Sequence, residues 1–426
     1  MAAHADTLAK LVRETVAALE PGVAVRLWNG ERIGPSDGPV VLLNDPAGLA
    51  RLLLRPRIET VIELWMAKGL DIDGGSLFDV AAARSQKKVR LGDIWRRVDK
   101  RLLAKALPAL IGLARSGRGA GVEAGTGAGA SGSSKAAIQF HYDVSNDFYR
   151  LFLDRRMVYS CAYFDGWHDD IDKAQTDKLD MICRKLRLQE GERFLDIGCG
   201  WGALLIHAAG TYGVSGHGVT LSQAQYELAT ARVFEAGLQD RITIELKPFQ
   251  ALTGRFDKIA SIGMFEHVGF ANHDAYLDAV KTLLRPGGLY LHHAITRPAK
   301  TSEAKFHKGT KEYAAILRYI FPGAELDHIG HSSRLLEAHR FEVHDVENWR
   351  MHYARTCRLW AERLQANFAE AARIAGEPRA RLWLLYLVGV SLGFERGGLL
   401  IYQTLASRRR RSGPSEVPPT RRDLYS

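Results

Sequence analysis

At 426 residues the chain exceeds the usual size of one domain, so two domains are expected. Its four cysteines, Cys161, Cys183, Cys199 and Cys357, are too few and scattered for a disulfide framework, and no pair has zinc-ligand spacing, which fits a reducing cytosol. The formal net charge of +10 suits solubility, nucleic acid or an anionic membrane surface. A spanning helix and a secretory leader are excluded by the absence of any long apolar run or cleavage signature.

In chain order, "VAVRLWNGERI" alternates apolar and polar residues around Asn29 and Gly30, a hairpin signal, and "PVVLLND" is a further strand. Asp45 and Pro46 suit the N-cap and first turn of the helix "PAGLARLLL". Residues 1–114 thus read as a small α+β domain. The stretch "RSGRGAGVEAGTGAGASGSSK" has no periodic apolar face, and residues 115–135 read as a flexible linker.

Residues 136–406 alternate strands with helices: "FLDIG", "SGHGVTL", "RITIEL", "FDKIASIG" and "GGLYLHHAIT" are strands, and Ser222 with Gln225 reads as a capping box. This predicts an α/β fold, a doubly wound and mostly parallel sheet, with ligands gathered beyond the carboxyl ends of its strands. Residues 407–426 follow what reads as a long apolar helix and form a basic tail containing Arg408, Arg409, Arg410 and Arg411. Such a run is a solvated tail or, beside a lipid-handling site, an attractor of anionic headgroups.

The turn in "FLDIGCGWGALLIHAA" admits two readings. Gly198, Gly200 and Ala203 fit the dinucleotide pattern, but the acid expected about 20 residues on is missing, since Val219, Thr220 and Leu221 end the second strand. Asp196, Gly198, Gly200 and Gly202 instead resemble motif I of class I S-adenosylmethionine-dependent methyltransferases, where a carboxylate suits a cationic cofactor. Four further stretches, "HYDVSNDFYRLFLDRRMVYSCAYFDGW", "SIGMFEHVG", "LHHAIT" and "HYARTCRLWAERL", occur in an order that resembles the cyclopropane-fatty-acyl-phospholipid synthase family, which includes the mycolic acid cyclopropane synthases.

The resemblance implies methyl transfer from S-adenosylmethionine to the cis double bond of an acyl chain of membrane phospholipid. Loss of a proton from the resulting carbocation then closes a three-membered ring. It assigns Tyr159, Ser160, Asp196, Gly198, Gly200 and Gly202 to the methionine side of the cofactor, and Thr220, Leu221 and Gln225 to its ribose and adenine. It assigns Glu266, His293 and Tyr353, with backbone groups near Cys161, to a bound bicarbonate that takes the proton. Taken singly, each of these residues reads as a cap or as core packing; their order as a set points to function. His292 and His293 alternate on one strand, so at most one of them enters a given pocket. Aromatics such as Phe140, Tyr142, Phe148, Tyr149, Tyr163 and Phe164 suit sheltering of the cation.

The resemblance also implies a lipid-binding role for residues 1–114, peripheral association with the inner membrane face, and a homodimer; it implies neither a metal nor nucleic acid. Two departures stand out. Pro248, Phe249 and Gln250 replace the family's Asp-Tyr-Arg, which predicts altered adenine recognition through the Phe249 ring or a backbone carbonyl; and Val390 stands where relatives carry a cysteine near the bicarbonate. The competing readings are a methyltransferase giving methyl-branched or methylene products, a non-catalytic lipid-binding relative, and, more distantly, a nicotinamide oxidoreductase.

Overall fold

The computed structural model describes residues 2–19, 22–83, 100–116, 145–308, 324–413, 415 and 417–425. Most of the glycine-rich segment, together with Phe140 and Tyr142, lies outside the described residues. The chain divides into two compact units, 1–124 with 376–388, and 125–375 with 389–426.

In the first unit β1 (Ala24–Leu27) pairs antiparallel with β2 (Arg32–Ile33) across the Asn29–Gly30 turn, as the hairpin signal predicts. β3 (Val40–Leu43) runs parallel to β1, and β4 (Leu70–Asp73) completes the order β2-β1-β3-β4. Asp45 caps the helix Pro46–Leu54 by accepting from the Ala47 N–H at 2.9 Å. Leu8, Leu11 and Val12 from the first helix pack with Leu110 and Leu113 over the sheet residues Val25 and Leu27. Residues 376–388, read from the sequence as part of the larger domain, group with this unit. Arg381 explains why: it stacks over Trp65, donates to the Trp65 and Leu70 carbonyls at 2.6 and 3.0 Å, and pairs with Asp71.

The second unit holds a seven-stranded sheet, β10-β11-β9-β8-β5-β6-β7. The five expected strands, β5 (Arg193–Ile197), β6 (Ser215–Thr220), β7 (Ile242–Leu246), β8 (Phe256–Ile262) and β9 (Leu284–Thr296), are mutually parallel. Helices cover both faces. Phe194 packs with Leu179 and Ile182 of the helix Ile171–Leu186, and the next residue, Leu195, packs on the opposite face with Tyr276 and Leu277 of the helix His273–Leu283.

Two strands escape the sequence reading. β10 (Phe341–Asn348) and β11 (Leu400–Arg408) add antiparallel, with β11 inserted between β9 and β10. The segment before the arginines is therefore a strand and not the end of a long helix. The helix Glu377–Glu395 stops before Gly397, which adopts φ 72°. Residues Ile401 to Ser407 are nearly all buried, and burial on both faces erases the alternation that marks a strand.

The carboxyl-terminal segment also departs from a free tail. Ser407 and Arg408 belong to β11, and the Arg408 guanidinium donates to the carbonyls of Lys281 and Leu284. Further on, Arg421 pairs with Asp345 at 2.7 Å, Asp423 pairs with Arg187 at 2.9 Å, and Leu424 is buried.

Candidate functional site

At the carboxyl end of β5 the chain turns through Gly198, Gly200 and Gly202, with φ of 80°, 54° and 79°, a region that L side chains rarely adopt. A Cβ on Gly198 would also lie 3.0 Å from Met264 Cγ, so the close approach demands glycine there. The N–H groups of Gly198 and Cys199 both donate to the Val219 carbonyl at 3.0 Å, which fastens the turn to the end of β6. Strand order reverses here, since the chain proceeds from β5 to β6 and β7 on one side and to β8 and β9 on the other. A crevice opens at such a point.

That crevice encloses about 220 Å³. Tyr159, Ser160, Asp196, Gly198, Gly200, Thr220, Leu221 and Gln225, which the resemblance assigns to the cofactor, line it together with Pro248, Phe249 and Gln250. Gly202 does not; it is the left-handed N-cap of the helix Ala203–Tyr212, where it sets the direction of the helix. The capping box is half formed. Ser222 accepts from the Gln225 N–H, but the Gln225 side chain turns back, and its Oε1 accepts from the Thr220 hydroxyl at 2.8 Å. With one lone pair of its oxygen so engaged, Gln225 can offer a ligand its amide N–H groups and the second lone pair. Of the two routes expected for adenine, the Phe249 ring packs edge-on against Tyr276 at 5.0 Å, while the carbonyl of Pro248 accepts from the Ala251 N–H.

The electrostatics of the cavity centre on a pair of which the sequence reading found only one member. Asp196 is buried, its Oδ1 has no hydrogen-bond partner, and burial pushes its carboxyl up to about 7 against the pull of the Lys178 charge. Lys178, on the helix Ile171–Leu186, is lowered to about 8 by burial, opposed by the carboxylates of Asp154 and Asp196 and by Cys161. Its ammonium donates to Ser160 Oγ at 2.9 Å, so the lysine fixes one wall of the cavity. A signal for it existed: Gln175, Lys178 and Lys185 fall in the same helical stripe as Ile171, Leu179, Ile182 and Leu186, and all are buried. Polar residues on a buried stripe need partners inside the protein.

None of the four residues assigned to proton removal lines that cavity. They gather instead around the end of β9. Glu266 sits on the single turn Phe265–His267 that follows β8, and its Oε1 accepts from the Ile295 N–H at 2.5 Å. Its Oε2 is buried without a hydrogen-bond partner among the described residues, and burial raises the carboxyl to about 7. His293, on β9, is buried and stands edge-on to Trp349 at 5.5 Å. Trp349 precedes the helix Arg350–Ala366; its carbonyl lies 3.8 Å from the Cys161 sulfur and accepts from the Tyr353 N–H at 3.0 Å. One residue thus links His293, Cys161 and Tyr353.

The tautomer of His293 is fixed by charge. Lys185 can only donate, and it donates to Gln403 Oε1 at 2.8 Å, which leaves the Gln403 amide nitrogen facing His293 Nδ1 at 2.9 Å. Nδ1 therefore accepts, and the ring proton sits on Nε2, a buried atom with no hydrogen-bond partner among the described residues. Burial, and the nearby lysine charges after it, hold the imidazole neutral. Next to it His292 faces the other way, toward Phe265 and Tyr290, as strand alternation requires.

Around Cys161 the backbone is less available than the sequence reading assumed. The N–H groups of Ala162, Tyr163 and Phe164 already donate to Thr356 Oγ1, the Ala174 carbonyl and His352 Nδ1. The thiol itself is held neutral by burial. Phe148 and Tyr149 are fully buried; Tyr149 packs against Tyr159 and Trp201 beside the cavity, whereas Tyr163 stacks on His352 at 5.0 Å.

A sequence model of the mycolic acid cyclopropane synthetase family matches residues 131–404. A probable fatty acid methyltransferase of Pseudomonas putida is 43% identical over 292 residues, 68% of this chain and 73% of that protein. The cyclopropane-fatty-acyl-phospholipid synthase of Escherichia coli K12 is 38% identical over 268 residues, 63% of this chain and 66% of that enzyme. Among solved structures, the mycolic acid cyclopropane synthase CmaA1 complexed with SAH and CTAB matches with a TM-score of 0.60 at 34% identity, covering 65% of this chain and 99% of its own. The glycine turn, the cavity and the family match fall on one stretch, and the chain belongs to the mycolic acid cyclopropane synthetase family, with the fold of a class I S-adenosylmethionine-dependent methyltransferase.

Proposed function

We propose that this protein methylates the cis double bond of unsaturated acyl chains in membrane phospholipid and removes a proton from the product cation to form a cyclopropane. The observation that carries the reading is that two of the residues assigned to proton removal each hold a buried atom without a hydrogen-bond partner among the described residues, the pair being the N–H at His293 Nε2 and the carboxyl oxygen Glu266 Oε2. Leaving such groups unpaired costs about 1–3 kcal/mol each, which a bound polar group would recover. A small anion with one O–H fits this pair, accepting from His293 and donating to Glu266 once that carboxyl is ionised. Bicarbonate has that chemistry, and when bound it supplies the base for the final proton.

S-adenosylmethionine supplies the methyl group. The buried Asp196 oxygen suits its positive charge, and Gln225 has amide N–H groups to offer its adenine or ribose. Tyr149, Tyr159 and Trp201 exclude water from the neighbourhood of the transfer, where an alkene, a poor nucleophile, gains most from proximity and dryness. The phospholipid would be met at a membrane surface. Arg409 and Arg411 are exposed and can meet anionic headgroups, while no helix among the described residues is long and apolar enough to cross a bilayer.

The test is to incubate the protein with methyl-labelled cofactor and vesicles of unsaturated phospholipid, then resolve the acyl chains by mass spectrometry. Label in a cyclopropane is the expected result; absence of label from acyl chains under all conditions would overturn the reading. Val390 motivates a second reading. It is buried on the helix Glu377–Glu395 and offers no polar group where relatives carry a cysteine, which favours a cation resolved to a methyl-branched or methylene chain. The same fragmentation spectra separate these products.

A further inference from the structure

We infer that His273, Asp327 and His331 form a binding site for one divalent transition-metal ion. One ligating atom from each lies within 4.8 Å of the others, a span that a small local closure converts into a coordination shell. His273 opens the helix His273–Leu283, His331 lies in the first turn of the helix Ile329–Ala338, and Asp327 is bridged to Thr296 at the end of β9. Two segments, residues 327–331 and the start of the helix His273–Leu283, therefore converge on one point, the arrangement that a metal clip exploits.

The second observation is His273 itself. It is 2% exposed, and neither ring nitrogen has a hydrogen-bond partner among the described residues, although one of them belongs to this converging set. Its ring stacks on Phe265 at 4.0 Å, which leaves the edge to meet whatever ligand completes it.

Asp327 is already braced as a ligand would be. Its carboxylate accepts from Ser332 Oγ at 2.8 Å and from the His328 N–H at 2.7 Å, and its Oδ2 lies 2.9 Å from His331 Nδ1. That last distance is a hydrogen bond without metal and close to a ligand-to-ligand separation with it. Coordination through Nδ1 would place the His331 proton on Nε2. Two imidazoles and one carboxylate suit zinc, iron(II) or cobalt(II) and leave at least one position for water.

The experiment uses untagged full-length protein, stripped with chelator and titrated with cobalt(II) as a visible probe and with zinc for stability. Expected are d–d absorption saturating at about one equivalent, and a rise in Tm of about 5 °C at saturating zinc. Both should vanish in His331→Ala and in the milder Asp327→Asn, whose folding is checked by circular dichroism and by retained S-adenosylmethionine binding. No cobalt spectrum in the native protein, or a spectrum and Tm shift undiminished in both variants, would overturn the site.

Discussion

The cofactor cavity and the group around the end of β9 are built from opposite materials. The turn that opens the cavity is set by backbone: the left-handed glycines Gly198 and Gly200, the Val219 carbonyl that accepts from Gly198 and Cys199, and the reversal of strand order at β5. The second site is made by side chains brought from far apart, Glu266 after β8, His293 on β9 and Tyr353 on a later helix, with Gln403 on β11 behind them. Backbone sites tolerate sequence change outside a few positions. Side-chain sites fail residue by residue, and each member is held by a different partner.

That contrast sets an order of expected effects. The largest follows Glu266→Ala, which should lower product formation by about 100-fold or more while S-adenosylmethionine binding, read by calorimetry, is kept. Loss of both together would merge the two sites and break the comparison. Next is Gly198→Ala, which places a Cβ against Met264 at positive φ and should weaken cofactor binding about tenfold or more, at about 1–3 kcal/mol in stability. A variant with native cofactor affinity would mean that the backbone of the turn is not what the cofactor reads.

Gln403→Leu is expected to cost about 10-fold in turnover, because His293 would lose the partner that fixes its tautomer, with little change in cofactor affinity. An unchanged rate and pH profile would reduce Gln403 to packing. The pH dependence sharpens the picture. Glu266 is raised to about 7, so product formation should climb through about pH 7 as the carboxylate forms and level off above it. Stability runs the other way: a raised carboxyl favours the fold while protonated, and that contribution is lost between the unfolded value near 4.5 and about 7.

Accordingly Glu266→Gln should be inactive yet more stable than the native protein at pH 8, by about 1–2 kcal/mol in denaturant titration, with the difference gone at pH 4. Greater stability of the native form at pH 8 would contradict the burial argument. The smallest effect concerns the surface. Arg409→Gln with Arg411→Gln should reduce binding to anionic vesicles a few-fold at low salt and not at high salt. Deleting everything from Ser407 would be a poor test, since it cuts into β11.

Where the sequence was legible, a local rule was at work. The Asn29–Gly30 turn, the Asp45 cap and the five parallel strands each follow from short-range pattern, and so does the glycine turn. Glu266 and His293 were named through resemblance, since nothing local to "FEHVG" or "LHHAIT" separates them from capping or core residues. Lys178 and Gln403 were missed for another reason. Each is polar within a buried stripe, and its role depends on a partner elsewhere: Ser160 for the lysine, His293 and Lys185 for the glutamine. β11 went unseen because burial on both faces hides its alternation, and that also concealed Gln403.

The insertion of β11 between β9 and β10 sets the order in which the molecule can become active. A chain emerging amino terminus first makes β5 through β9, and with them the walls of the cofactor cavity, while β9 still has an open edge. His293 waits on that edge until Gln403, 110 residues later, arrives to select its tautomer. On the proposed function, the walls of the cofactor cavity can therefore be complete during synthesis before the strand that fixes the His293 tautomer has joined the sheet.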